Sequence, residues 1–257
     1  MPNRLQHPSL FLAWSEAPWD AAVTGYPVWQ ISHVSLSGPD ADAAMVAFEA
    51  TRDRAGVGLV SCRLQHDRLR ESMFFESHGF RFIEMVYQPE LALAGTVLVE
   101  DSQILPVRPA READLPALLD IAGTAFHNER FHMDPRLGDQ LSRARYQNWV
   151  RTSLDHPSQR PLVMTEGEAP VAFFVTEILP DKFCYWHLNA VAPAFQGQGY
   201  GLRAWRSMIL YAASAGLQGV RTSIAARNER VLNLYARLGF RFHAPQMTFH
   251  WIRETTS

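Results

Sequence analysis

Residues 191–201 read Val-Ala-Pro-Ala-Phe-Gln-Gly-Gln-Gly-Tyr-Gly, so that Gly197, Gly199 and Gly201 alternate within one short segment. Alternating glycines let successive amide N–H groups point one way and let a bulky anion approach the backbone. The amphipathic run over 202–215 predicts a helix whose electropositive amino-terminal end completes such a cradle. A diphosphate is its natural occupant. The spacing matches neither GxGxxG at the opening of a first βαβ unit nor GxxxxGK(S/T), which sets aside dinucleotide and P-loop chemistry. Ahead of the loop, residues 183–191 predict a strand that places Tyr185, His187, Asn189 and Val191 on one face. His187 adds to that face a group that changes charge near neutrality.

These side chains need elements to hold them. The hydrophobic periodicities predict a strand over 105–108, helices over 112–126 and 139–154, and strands over 162–165, 171–178 and 183–191. After the glycine loop and its helix come a strand over 220–225, a helix over 229–238 and paired strands through Ile252. Hairpin-linked strands that pass into strand–helix–strand units predict an α/β fold, a mixed sheet with helices on both faces.

Self-comparison divides the chain. Ala55-Gly56 and Ala215-Gly216 recur at the same offset, 160, as Gly79-Phe80-Arg81-Phe82 and Gly239-Phe240-Arg241-Phe242. In each copy one helix ends at the first glycine, a β-like run follows (57–62 or 219–224), and a second helix ends at the next glycine, the usual C-cap residue. Two copies of one supersecondary pattern follow from this. The boundary falls within 91–105, where periodicity lapses among Pro89, Gly95 and Pro106, giving a truncated unit over 1–95 and a full one over 96–257. The offset pairs Tyr235 with Phe75 and sends the glycine loop onto residues 36–41, Leu-Ser-Gly-Pro-Asp-Ala, where Pro39 removes an amide donor. The first copy is therefore expected not to bind the occupant of the glycine loop, and either to pack against the second unit as a wall of its site or only to stabilise the fold.

Composition narrows the class. With 257 residues, 47% hydrophobic, 19% charged and a net charge of −2, the chain is globular, which excludes disorder, collagen and coiled coil and gives no basic excess for nucleic acid. Cys62 and Cys184 lack CxxC spacing, so neither a disulfide framework nor a zinc module is expected, and a reducing cytoplasmic setting suits the chain. Residues 1–10, with Pro2, Asn3, Gln6, His7 and Pro8, do not read as a signal peptide, and no apolar run is long enough to predict a membrane span.

Residues 196–201, Gln-Gly-Gln-Gly-Tyr-Gly, preceded by Asn189-Ala190-Val191 and followed by Asn228 and Tyr235, resemble the coenzyme A loop, (Q/R)-x-x-G-x-(G/A), and its companions in the GNAT superfamily. The resemblance covers about residues 104–252 and implies acetyl-CoA as co-substrate, with an amine attacking it directly in a ternary complex. It implies a coenzyme site made of Asn189, Ala190, Val191, Gln196, Gly197, Gln198, Gly199, Tyr200, Gly201 and Asn228, beside a strand that splays from its neighbour. It also gives Tyr235 the place of the general acid that protonates the leaving thiolate, and His187 a place where some members carry the base. A water chain, or Glu177 on the neighbouring strand, is the alternative base. Packing keeps an aromatic ring at Phe75 and Tyr235 alike, and only the second copy keeps the hydroxyl.

The acceptor side is marked by Phe131, His132 and Asp134 in a loop-like stretch, followed by Tyr146 and Trp149. Aromatic faces with polar edges suit a nucleotide base and sugar, whereas His127, His132 and Asp134 fit no metal-ligand spacing, and no metal is expected. This stretch, with Trp19-Asp20 ahead of Gly25-Tyr26, resembles the TDP-fucosamine acetyltransferase family, in which a truncated GNAT-like unit precedes the catalytic one. Thr24 stands where that family carries phenylalanine. The resemblance implies Phe131, His132, Asp134, Tyr146 and Trp149 as acceptor contacts and a nucleotide-linked amino-deoxy sugar as acceptor. Another small amine is the alternative substrate, and a catalytically idle acyl-CoA-binding module is the alternative outside catalysis. Homodimers occur among such relatives, but no segment of this sequence marks an interface.

Overall fold

The computed structural model describes residues 2–94 and 104–254, and the expected boundary at 95/96 lies outside the described residues. The chain begins with strands β1 (Asn3–His7) and β2 (Leu10–Glu16), helix α1 (Pro18–Thr24), strand β3 (Val28–Leu36) and helix α2 (Ala41–Arg54). Strand β4 (Leu59–Gln65), helix α3 (Leu69–Ser77) and strands β5 (Arg81–Tyr87) and β6 (Pro89–Ala92) follow. Next come β7 (Val107–Pro109), a single 3-10 turn (Glu112–Asp114), α4 (Leu115–Ala125), α5 (Arg130–Met133) and α6 (Asp139–Ser153). Strands β8 (Gln159–Glu166), β9 (Ala169–Ile178) and β10 (Phe183–Val191) lead to α7 (Tyr200–Ser214). The chain closes with β11 (Gly219–Thr222), β12 (Ile224–Ala225), α8 (Glu229–Arg237), β13 (Arg241–Phe242) and β14 (Gln246–Ile252).

The strands form two mixed sheets, ordered β1-β2-β3-β4-β14-β5-β12 and β13-β6-β11-β10-β9-β8-β7. The strands expected to pair at the carboxyl end do not pair with each other. Instead β14 enters the first sheet between β4 and β5, and β6 enters the second between β11 and β13. The two halves exchange their last strands. The strand expected over 220–225 is likewise divided, because β11 pairs with β10 and β6 while β12 crosses to β5.

Helices cover both faces of the second sheet, as its sequence predicts. On β9 the neighbours Phe173 and Phe174 point to opposite faces, Phe173 into a core with Leu118 and Val150, Phe174 into one with Trp186, Trp205 and Met208. The first sheet is different. One face buries Leu64, Met247 and Phe249 with Trp14, Phe48 and Phe75, while the intervening positions put Ser61, Arg63 and Thr248 on the face turned to the other half of the molecule. Leu59 on that face packs with Phe131 of α5 and Leu137.

The repeat is visible in three dimensions. Gly56, Gly79, Gly216 and Gly239 all take left-handed φ after their helices. Val28 pairs with Leu59 in parallel as Phe183 does with Gly219, so the strands before the loops stand 155 residues apart while Leu59 and Gly219 stand 160 apart. Four of the five extra residues lie between strand and helix, since four residues, 37–40, join β3 to α2 and eight, 192–199, join β10 to α7, and α7 is itself one residue longer than α2. The ungapped alignment of the glycine loop with residues 36–41 therefore gives way to a gapped one, in which the first half lacks most of the loop altogether.

Candidate active site

The glycine loop is fastened to itself. Gln196 Nε2 donates to the Val191 carbonyl at 3.0 Å and Gln198 Nε2 to the Ala194 carbonyl at 2.7 Å. Gly197 and Gly199 take φ of +78° and +85°, and nothing stands within 4 Å of where a Cβ would project. Gly199 caps α7, whose first-turn amides have no intrahelical acceptor. Left-handed backbone, open space and a helix amino terminus together suit the diphosphate of coenzyme A.

Next to the loop, two strands part. β10 pairs with β11 only from Phe183 to Trp186, after which β11 ends at Thr222 and β12 departs to the other sheet. Asn189, Ala190 and Val191 thereby lose their neighbour on one side and line a cavity, across which stand Ser223, Ile224 and Ala225. Asn228 also lines it, while its Oδ1 accepts from the Val231 amide at 3.3 Å as the cap of α8.

His187 sits at the bulge of β10, where the register with β9 slips between Trp186 and Leu188. Its Nε2 meets Glu177 Oε2 at 2.8 Å, and the rings of Tyr185 and Trp149 lie 4.8 and 6.1 Å away. Burial lowers the imidazole pKa below its ordinary value, against the pull of Glu177, so the ring is neutral at pH 7. With Nε2–H donated to Glu177, Nδ1 keeps the basic lone pair.

Tyr235 is 1% exposed, with its ring 4.8 Å from Phe240 and 6.3 Å from Trp205. Burial pushes its hydroxyl up to about 12, while the side chains of Thr222 and Asn189 interact with it. The phenol is therefore protonated across the neutral range. Asn189 lines the cavity and Tyr235 lies behind it.

The cavity, about 960 Å³, runs on from the loop to the polar face of the first sheet. Of the aromatic and polar residues expected at the acceptor, Tyr146 and Trp149 line it. Trp149 Nε1 donates to Gln159 Oε1 at 3.2 Å, and Tyr146 stacks on Phe126 at 4.7 Å. Phe131, His132 and Asp134 are placed away from its lining. Phe131 is fully buried between the guanidinium groups of Arg130 and Arg145, at 4.8 and 4.6 Å, and His132 stacks on Tyr146 at 5.7 Å.

Asp134 belongs to a buried charge network that joins the halves. Arg136 grips it through two bonds of 2.8 Å, and His250 Nδ1 lies 2.9 Å from its Oδ2. On the other side of the imidazole, Arg130 Nη1 approaches Nε2 at 3.1 Å, which makes Nε2 the acceptor and Nδ1 the donor. Arg130 also meets Asp20 Oδ2 at 3.0 Å, and Arg145 Nε meets Asp20 Oδ1 at 2.6 Å. Desolvation would raise the Asp134 pKa, but His250 and Arg136 outweigh it and hold it far below the carboxylate range. Sequence reasoning passes over Glu84, Arg63 and Thr248, which line the cavity from the first sheet. The only trace in the sequence is the alternation of polar residues through otherwise apolar strands, as in Gln246–Ile252. Among the described residues no group of three or more His, Cys, Asp or Glu side chains is arranged to hold a metal ion, and no helix is long and apolar enough to cross a membrane.

Residues 117–240, just under half of the chain, match the model of the Acetyltransferase (GNAT) family, which supports an N-acyltransferase. The whole architecture matches a GCN5-related N-acetyltransferase from Sphaerobacter thermophilus, at TM-score 0.63 and 13% identity, over 97% of this chain and 78% of that one. It also matches a tandem GNAT protein from the clavulanic acid biosynthesis pathway, at TM-score 0.57 and 12% identity, over 96% and 79%. In sequence, 142 residues are 23% identical to the spore coat polysaccharide biosynthesis protein SpsD of Bacillus subtilis (strain 168), covering 55% of this chain. The match takes in about half, 49%, of that relative's length.

Proposed function

We propose that this protein is an acetyl-CoA-dependent N-acetyltransferase whose acceptor is the amino group of a nucleotide-linked amino-deoxy sugar. The observation that carries the reading is the continuity of one cavity from the glycine loop, past the parted strands, to a polar wall built by the other half of the molecule. The loop takes the coenzyme diphosphate, and the free edge of β10 at Asn189 and Val191 takes the pantetheine arm as an added strand. The thioester carbonyl then lies near the β10 bulge. His187, neutral and oriented by Glu177, takes the proton of the attacking amine directly or through water. The nitrogen–carbon bond forms, the carbon–sulfur bond breaks, and Tyr235 protonates the departing thiolate once Asn189 yields its place beside the hydroxyl. Tyr146 and Trp149 offer aromatic faces to the acceptor. The link of a relative to polysaccharide biosynthesis supports a sugar over other amines.

A mass-spectrometric screen of amino-sugar nucleotides with acetyl-CoA tests this. An acetylated product supports transfer and acceptor class together. Acetyl-CoA binding by calorimetry without thiol release on any amine would leave an idle acyl-CoA-binding module instead.

A further inference from the structure

Three cavity-lining residues of the first sheet form a row. Thr248 on β14 pairs with Arg63 of β4 on one side and with Glu84 of β5 on the other. Paired positions on adjacent strands, about 4.8 Å apart, share a face, so the three side chains stand side by side along the cavity wall. Glu84 is 3% exposed and Thr248 1%, yet Glu84 Oε2 and Thr248 Oγ1 have no hydrogen-bond partner among the described residues. An unpaired buried group of this kind carries a desolvation cost that an aliphatic residue in its place would not. A carboxylate accepts only, and a hydroxyl accepts or donates, so the row calls for a ligand rich in donors.

The surroundings agree. Glu129 lines the same cavity from the α4–α5 connection, with Oε2 accepting from the Asn128 amide at 3.0 Å. Burial, to which Glu84 adds, pushes the Glu129 carboxyl up to about 7. Arg130 and Arg145 are committed to Asp20 and His250, while Arg63, exposed at one end of the row, adds a cation to the cavity wall, as Arg230 and Arg237 of α8 do elsewhere on it.

We propose that Glu84 and Thr248, with Glu129 nearby and Arg63 at one end, form the acceptor-recognition site, and that it takes a hydroxylated ring bearing an amine. Ammonium and ring hydroxyls donate to Glu84 and Thr248, and an anionic substituent of the acceptor meets Arg63. The truncated half thus carries specificity, and Thr248 reaches the row only because β14 is exchanged into the first sheet. The inference rests on the transferase reading above.

Thiol release from acetyl-CoA is read with three probes: a dTDP-linked 4-amino-4,6-dideoxyhexose, glucosamine, and spermidine, an amine without hydroxyls. For the sugar probe turned over, Glu84→Gln and Thr248→Val, both isosteric, raise the acceptor KM by about tenfold or more, the loss of one hydrogen bond to a charged or buried group. Acetyl-CoA affinity by calorimetry and Tm stay near the wild-type values, and Glu84→Asp recovers part of the loss. Arg63→Ala, at an exposed position that folding tolerates, raises the KM of the nucleotide-linked probe more than that of glucosamine. Turnover with unchanged acceptor KM in the Glu84 and Thr248 variants overturns the site and leaves the transferase reading standing. Preference for spermidine over both sugars also overturns it. Neither turnover nor calorimetric binding of any probe removes the site and the reading together.

Discussion

Tyr235 and Phe75 occupy equivalent places in the two halves and differ by one oxygen. Each ring packs on the phenylalanine five residues later, Phe75 on Phe80 at 4.7 Å and Tyr235 on Phe240 at 4.8 Å. Packing therefore asks only for the ring, so Tyr235→Phe is expected to keep the fold and the affinity for acetyl-CoA. If the hydroxyl is the acid, kcat falls by about 10² or more, the ordinary contribution of a placed proton donor, and steady-state kinetics beside calorimetry separates the two effects. His187 makes a second prediction through its pKa, which burial depresses and Glu177 raises in opposition. A base must be neutral to act, so kcat/KM is expected to fall on the acid side with an apparent pKa below 6.5. Glu177→Gln removes the group that favours the imidazolium. The acid limb of the pH–rate profile should then move to lower pH, and an unmoved limb would assign the proton transfer elsewhere.

In the connection between β10 and α7, local chemistry and tertiary placement can be told apart. Gly199 at φ +85° has open space where a Cβ would stand, so Gly199→Ala meets no clash and costs stability only through the left-handed backbone, about 1–2 kcal/mol. The space it fills is where the diphosphate is proposed to sit. Acetyl-CoA affinity by calorimetry should drop by well over the small loss seen in thermal melting, and an unchanged affinity would place the diphosphate outside the loop. This loop, its helix and the strand before it were legible in the sequence because glycine spacing and apolar periodicity are local signals. So was the helix expected over 112–126, whose Leu118, Ala122 and Phe126 are buried in one core. The pairing of β14 was not. Its alternation of Met247 and Phe249 with Thr248 and His250 tells which face is apolar, but nothing local tells a strand which neighbour it will join. The row of Arg63, Thr248 and Glu84 was hidden for the same reason, since its members stand together only across the exchange. Phe131 and Asp134 show the converse limit, because a polar and aromatic segment that looks like a binding loop here packs and charges the contact between the halves.

At the scale of the whole molecule, that contact is a chain of charges, and its weakest point under acid is His250. The imidazole is fully buried between Asp134 and Arg130, and burial together with the nearby arginines lowers its pKa to about 4. In the unfolded chain it titrates near 6.5, so the unfolded state binds the extra proton between these values. Stability is then whole above pH 6.5 and declines as pH falls through about 4, by about 3 kcal/mol for this one group. The Asp134 contribution disappears only at lower pH, because its unfolded carboxyl titrates near 3.8 and its folded one lower still. Urea denaturation between pH 4.5 and 7.5 checks this, and His250→Gln should flatten the slope. The strand exchange carries a further consequence. A fragment of residues 96–257 lacks β6, so β11 and β13 lose the strand that joins them, while β14 loses both partners, β4 and β5. Residues 1–95 alone leave β4 and β5 without the strand between them. Unpaired strand edges and an opened core leave neither fragment with a complete sheet. Each alone is expected to show a collapsed amide proton spectrum and no cooperative melt, whereas the two co-expressed should associate and recover a single transition like that of the intact chain. A fragment of 96–257 that melts cooperatively and binds acetyl-CoA by itself would mean that β14 finds a place in its own sheet, and the acceptor wall would then be a property of the intact chain alone.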